Sequence, residues 1–148
     1  MKRLLILPVA AFLIGCGGGG SSDIDNFNLS KAIEGKTFYE ASACKEPNYY
    51  SYKIDKSALI QKAYRDSNFS QVEYSKNYSV KTFNSDDISL VKNGIEYFCE
   101  VDYDVDNNKV TQLGLNCSSE NENSEDLFFL AAYPTKELAL KNKETKCN

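Results

Sequence analysis

Histidine and tryptophan are absent from the 148 residues, and methionine occurs once, at position 1. Without imidazole there is no Ser-His-Asp or Cys-His nucleophile and no histidine ligand for zinc. Acid-base work would fall to carboxylates, yet no pair of Asp or Glu stands among apolar residues able to retune its pKa. G-x-S-x-G, P-loop and zinc spacings are missing too. The expectation is a protein that is not an enzyme and holds no cofactor and no metal.

What is present fits an ordinary globular domain. Residues of the hydrophobic set make up 42% and charged residues 26%, with 17 Lys plus Arg against 21 Asp plus Glu. The length suits one domain. Five cysteines, at positions 16, 44, 99, 117 and 147, are the most informative residue class.

Lys2 and Arg3 precede an apolar run from Leu4 to Ile14, followed by Gly15 and Cys16. This order of cationic start, short apolar stretch and small residue is that of a secretory signal. As a helix the run would rise about 16 Å, short of the roughly 30 Å hydrocarbon core, so it addresses the chain rather than spanning a bilayer. Leu13-Ile14-Gly15-Cys16 matches the lipobox, and the segment resembles a bacterial lipoprotein signal peptide. That resemblance implies cleavage before Cys16, with the Cys16 thiol alkylated by a diacylglyceryl group. Two or three acyl chains anchor a protein almost permanently, where one does so only marginally. Gly17, in place of Asp, resembles the outer-membrane rather than the inner-membrane sorting pattern.

Three sections follow. Residues 1–15 are the signal peptide, 16–29 a lipidated tether rich in Gly and Ser, and 30–148 one β-rich globular domain. Losing Lys2 and Arg3 leaves 15 cationic residues against 21 acidic ones, a net of −6. So acidic a chain is a poor partner for nucleic acid.

The four cysteines beyond Cys16 are even in number in a chain sent to an oxidising compartment, and two disulfides are expected. A four-thiolate zinc site would need a C-x-x-C knuckle, which is missing. Register chooses the pairing. Ile95, Tyr97, Cys99, Val101, Tyr103 and Val105 alternate with Glu96, Glu100, Asp102, Asp104 and Asp106, and only Phe98 breaks the pattern. A turn at Asp106-Asn107-Asn108-Lys109 returns the chain through Val110 to Cys117. A three-residue loop centred on Asn108 would set Cys99 opposite Cys117, which by elimination leaves Cys44 for Cys147.

Further strands are expected at residues 36–43, 49–54, 69–74, 78–83, 88–92 and 127–132. Residues 57–65 are read as strand, although Leu59, Ile60, Ala63 and Tyr64 also fit a helical stripe. Thr135 can cap a short C-terminal helix with Glu137 early and Lys141 late. The short turns between strands favour an antiparallel meander over βαβ units. Eight or nine strands and one terminal helix give a mainly β fold, a small barrel or curled sheet. The opening Gly35-Lys36-Thr37-Phe38-Tyr39 and the helix after the last strand are similar to lipocalin-like bacterial lipoproteins.

Two features are candidate sites. Asp102, Asp104 and Asp106 resemble the start of a calcium loop, but Asn107 replaces the required Gly and Leu113 the bidentate Glu. Alternate residues of a strand lie about 6.6 Å apart, so a cation site there needs a bend, and a solvated face guarding the sheet is the plainer reading. Ten tyrosines offer an aromatic barrel mouth for a small apolar ligand, or simply good strand packing. The expected role is non-enzymatic binding or interaction by a monomer anchored to the bacterial envelope through lipid at Cys16. The alternative is a structural, adhesin-like or inhibitor-like module that binds an envelope protein.

Overall fold

The computed structural model describes residues 27–84, 87–120 and 127–145, with the side chains of residues 127, 128 and 130 excepted. The expected signal and all but the last residues of the tether, Cys147, and residues 121–126 lie outside that set.

Eight antiparallel strands follow one another in sequence order: β1 (Thr37–Ala41), β2 (Tyr49–Ile54), β3 (Ala58–Tyr64), β4 (Val72–Phe83), β5 (Ile88–Lys92), β6 (Ile95–Asp106), β7 (Lys109–Ser118) and β8 (Leu127–Ala132). The two ends of the sheet meet just past β8. There Tyr39 N–H donates to the Tyr133 carbonyl and Tyr133 N–H to that of Tyr39, both at 2.7 Å. The expected meander is thus a nearly closed barrel.

A helix that the sequence reading passed over comes first. In α1 (Leu29–Ile33) the Asn28 side chain accepts the Lys31 N–H at 3.0 Å, and Gly35 follows at φ +70°. Leu29 and Ile33, one turn apart, are both completely buried. Gly35 N–H then donates to the Ile54 carbonyl at 2.8 Å, and Phe27 stacks on Tyr103 with centroids 5.6 Å apart. These contacts seat α1 in the interior at the end where β1 begins.

The two expected strands, 69–74 and 78–83, merge into the single twelve-residue β4, which begins only at Val72. Its polar stretch Ser75-Lys76-Asn77 is ordinary alternation along one exposed strand. Phe69 instead belongs to the preceding turn, at φ +54°. The ambiguous segment is strand β3, with Leu59, Gln61 and Ala63 facing inward. Asp55 starts it by accepting the N–H groups of Ser57 and Ala58, each at 2.9 Å.

The β6–β7 hairpin has the expected register for a different reason. Its loop is two residues, Asn107 and Asn108, both at positive φ, as a type I′ turn requires. That turn alone pairs Val105 with Val110. An irregularity between Asp104 and Val105 shifts the register by one residue, so Asp104 faces Gln112 and Cys99 faces Cys117. The Cys99–Cys117 disulfide forms there.

After β8, Thr135 accepts the Leu138 N–H at 3.2 Å and opens α2 (Lys136–Lys141), as expected. Beyond α2, Ala43 N–H donates to the Glu144 carbonyl at 2.8 Å and Glu144 N–H to that of Ala41 at 3.0 Å. Cys44 is disulfide-bonded. The inner faces of the strands, together with α1, form one core that includes Phe38, Tyr52, Leu59, Leu90, Leu113 and Phe129.

Ile33→Ala and Leu113→Ala should each cost about 2–5 kcal/mol, the range for emptying a fully buried aliphatic site. Urea unfolding measures this. A loss below about 1 kcal/mol in Ile33→Ala would show that α1 is not seated in the core.

Candidate functional site

Alternation along the strands divides the ten tyrosines between two surfaces. Tyr50, Tyr52, Tyr74, Tyr78, Tyr97 and Tyr103 belong to the barrel interior, while Tyr39, Tyr49, Tyr64 and Tyr133 gather outside it.

Inside, Glu40 on β1 sits among the phenols although it is 4% exposed. Tyr52 Oη donates to Glu40 Oε2, and Lys45 Nζ, from the β1–β2 loop, donates to Oε1 at 2.6 Å. Both carboxylate oxygens are therefore occupied, which offsets the cost of burying the charge. Gln61 hydrogen-bonds Tyr52, and Tyr74 hydrogen-bonds Tyr50. Burial holds the Tyr52 phenol well above its ordinary range, and the neighbouring Glu40 charge raises it further. Tyr50 is raised as well, first by burial and then by its bond to Tyr74. Among the described residues Glu40 is the one buried carboxylate, so the second carboxyl of a hydrolytic pair is not brought beside it.

Outside, Phe69 is the hub of the second cluster. Tyr39, Tyr49 and Tyr64 set their rings against it edge-on, with centroids 5.3, 5.6 and 5.5 Å away. A positive φ is unfavourable for a bulky residue. Asp66 holds the turn in place by accepting the N–H groups of Ser70 at 3.0 Å and Gln71 at 2.7 Å. Ala139 of α2 packs on the same cluster.

Beside it the outer face of β1–β3 forms a cleft of about 340 Å³. Register places Tyr39, Ser51 and Lys62 in one cross-strand row and Thr37, Lys53 and Ile60 in the next. Ser51 and Tyr64, both buried, share a hydroxyl hydrogen bond of 2.9 Å beneath them. Burial raises the Tyr39 phenol, with smaller contributions from Tyr64 and Glu137.

The expected site residues fare differently. Cys99 and Cys117 are joined, Cys44 is disulfide-bonded, and Cys16 and Cys147 lie outside the described residues. Asp102, Asp104 and Asp106 project from alternate, exposed positions of β6. Asp102 lines a shallow cleft with Glu100 and Gly114, and among the described residues no three such ligands converge to hold a metal ion. Sequence reading missed Glu40 and the outer cluster. The available signals were a charged residue on the parity of Phe38 and the presence of apolar residues on both faces of the first three strands.

The raised phenols set the sign of an alkaline pH effect. Free tyrosine ionises near pH 10, so above that pH the unfolded chain loses protons that Tyr50 and Tyr52 retain when folded. Stability should hold below about pH 9 and fall as pH rises past about 10, with a class of tyrosinate absorbance appearing only on unfolding. Tyr52→Phe should flatten that fall. Full and reversible ionisation of all ten tyrosines in the folded protein would contradict the arrangement.

In comparison with known proteins, no family model, curated protein or solved structure matches this chain, so the barrel and its two aromatic clusters carry the functional reading.

Proposed function

We propose that this protein is a lipid-anchored bacterial envelope protein, more suited to the outer than the inner membrane, whose barrel acts by binding and not by catalysis. The observation that carries this reading is the disulfide joining Cys99 to Cys117, with Cys44 also oxidised, in a chain bearing Leu13-Ile14-Gly15-Cys16. Disulfides persist in oxidising compartments such as the periplasm, which is where a lipoprotein signal delivers its chain. Glu144, held beside Ser42 and Ala43, supports Cys147 as the partner of Cys44.

No helix among the described residues is long and apolar enough to cross a membrane. The proposed attachment is the lipid at Cys16, on the strength of Leu13-Ile14-Gly15-Cys16. Ten residues separate that thiol from Phe27, a contour of up to about 35 Å, enough to hold the domain clear of the headgroups. One ligand class for the barrel is a small apolar molecule, met by the tyrosines of its interior.

A specific observation favours the second reading, recognition at the outer surface. Tyr52, Ile54, Leu59, Ile88, Leu90 and Leu113 are 0% exposed, leaving no water-sized space against them. Ligand room is correspondingly better sought outside the barrel than deep within it.

Protein extracted from its own bacterial membrane should show, by intact-mass measurement, an acylated Cys16 at its amino terminus. It should also lack four hydrogens for two disulfides. Cys16→Ala should remain unprocessed or leave the membrane. A processed Cys16→Ala chain still held at the membrane would overturn the anchoring proposal.

A further inference from the structure

We infer that the outer cleft of β1–β3 is a binding site for a small anion that carries a ring, such as a cyclic carboxylate or phosphate. This gives a ligand class to the binding reading above, on which it rests, and it does not depend on the lipid anchor. The cleft volume of about 340 Å³ suits one small molecule.

Three ammonium groups line the cleft: Lys53 from β2, Lys62 from β3 and Lys136 from α2. Lys136 is fixed in place. Its Nζ donates to the Asn68 carbonyl at 2.9 Å and lies 5.8 and 5.7 Å from the ring centroids of Tyr39 and Phe69. Lys53 and Lys62 form no salt bridge among the described residues, whereas Lys45, Lys56, Lys81 and Arg65 each have a carboxylate partner. Asp55 acts electrostatically on Lys53 while accepting from Ser57 and Ala58, so Lys53 is partly compensated, but no acidic residue is among those lining the cleft. Glu137, near Tyr39, acts from the helix side. Three cations with no carboxylate in the lining of a concave, partly apolar site focus a positive potential even on an acidic protein.

The remaining lining selects more than charge. Tyr39, Ile60, Tyr64 and Phe69 supply ring edges and apolar surface, and Ser51 with Tyr64 supplies hydroxyls at the floor. A bare inorganic anion would leave that apolar wall unused, while an uncharged ring would leave two lysines unanswered. A ring bearing a carboxylate or phosphate uses both.

The test uses the purified full chain and calorimetric titration with phenyl phosphate, glucuronate and inorganic phosphate. At least one ring-bearing probe should bind about tenfold or more tightly than inorganic phosphate, weakening as salt is raised. Glucuronate alone would identify an acidic sugar as the source, and phenyl phosphate alone an aromatic acid. Lys53→Glu combined with Lys62→Glu should reduce that binding about tenfold or more while leaving the thermal transition in place, because both side chains are exposed. Lys109→Glu, on the remote β6–β7 turn, should leave it unchanged. Equal affinity for inorganic phosphate and the ring-bearing probes, no binding by any probe, or undiminished binding in the double variant would overturn the assignment. None of these results would bear on acylation of Cys16, so this proposal and the envelope reading fail separately.

Discussion

Two reciprocal backbone hydrogen bonds between Tyr39 and Tyr133, each 2.7 Å long, hold the first strand to the end of the last. An open eight-stranded sheet would leave β1 and β8 as edges with unpaired donors and acceptors, which invite pairing with other chains. The two bonds satisfy the Tyr39 and Tyr133 groups and bring the ends together, with the inner faces turned onto one core. Closure also fixes where the chain goes next. Leaving Tyr133 beside Tyr39, the chain is carried across the outside of β1 as α2 and returns along Ser42 and Ala43.

That return path makes the first three strands unlike the rest. Their inner residues meet the common core, while Tyr39, Ala41, Tyr49 and Tyr64 on their outer side meet α2 and the Phe69 turn. β6 by contrast keeps Glu100, Asp102, Asp104 and Asp106 in solvent. One side of the barrel is therefore an acidic solvated wall, and the other an aromatic surface carrying lysines. The two faces arise from a single topological fact. Inside, the Glu40 pair adds a polar element to an apolar core, and its three-way match of carboxylate, phenol and ammonium fits one register between β1 and β2.

The same asymmetry explains which parts of the fold could be read from the residues. Period-two alternation was plain in β6, where one face is wet, and from it followed the Cys99–Cys117 pairing. In β3 the outer Tyr64 packs on the Phe69 turn and the outer Ile60 stands half-buried in the cleft, so both faces carry apolar residues and alternation blurs into an apparent helical stripe. Phe69 departs from the strand that its type suggests because Asp66 fixes the turn and Tyr39, Tyr49 and Tyr64 receive its ring. α1 is five residues long, too short for periodicity, and only Asn28 and Gly35 marked it. The loop at Asn107 and Asn108 is two residues long where three are expected. A compensating shift at Val105 restores the expected register, since the two irregularities cancel at the cysteines. For the candidate sites, composition showed that phenols were plentiful but not that strand parity would divide them between interior and exterior.

Closure of the barrel through Tyr39 and Tyr133 is the claim from which the outer cleft, the path of α2 and the shared core all descend. Residue-resolved hydrogen exchange on the folded protein tests it directly. The Tyr39 and Tyr133 amides should exchange on the slow timescale of central-strand amides such as Leu90 and Leu115. Exchange as fast as that of the exposed turn at Asn107 would show an open sheet and contradict the account.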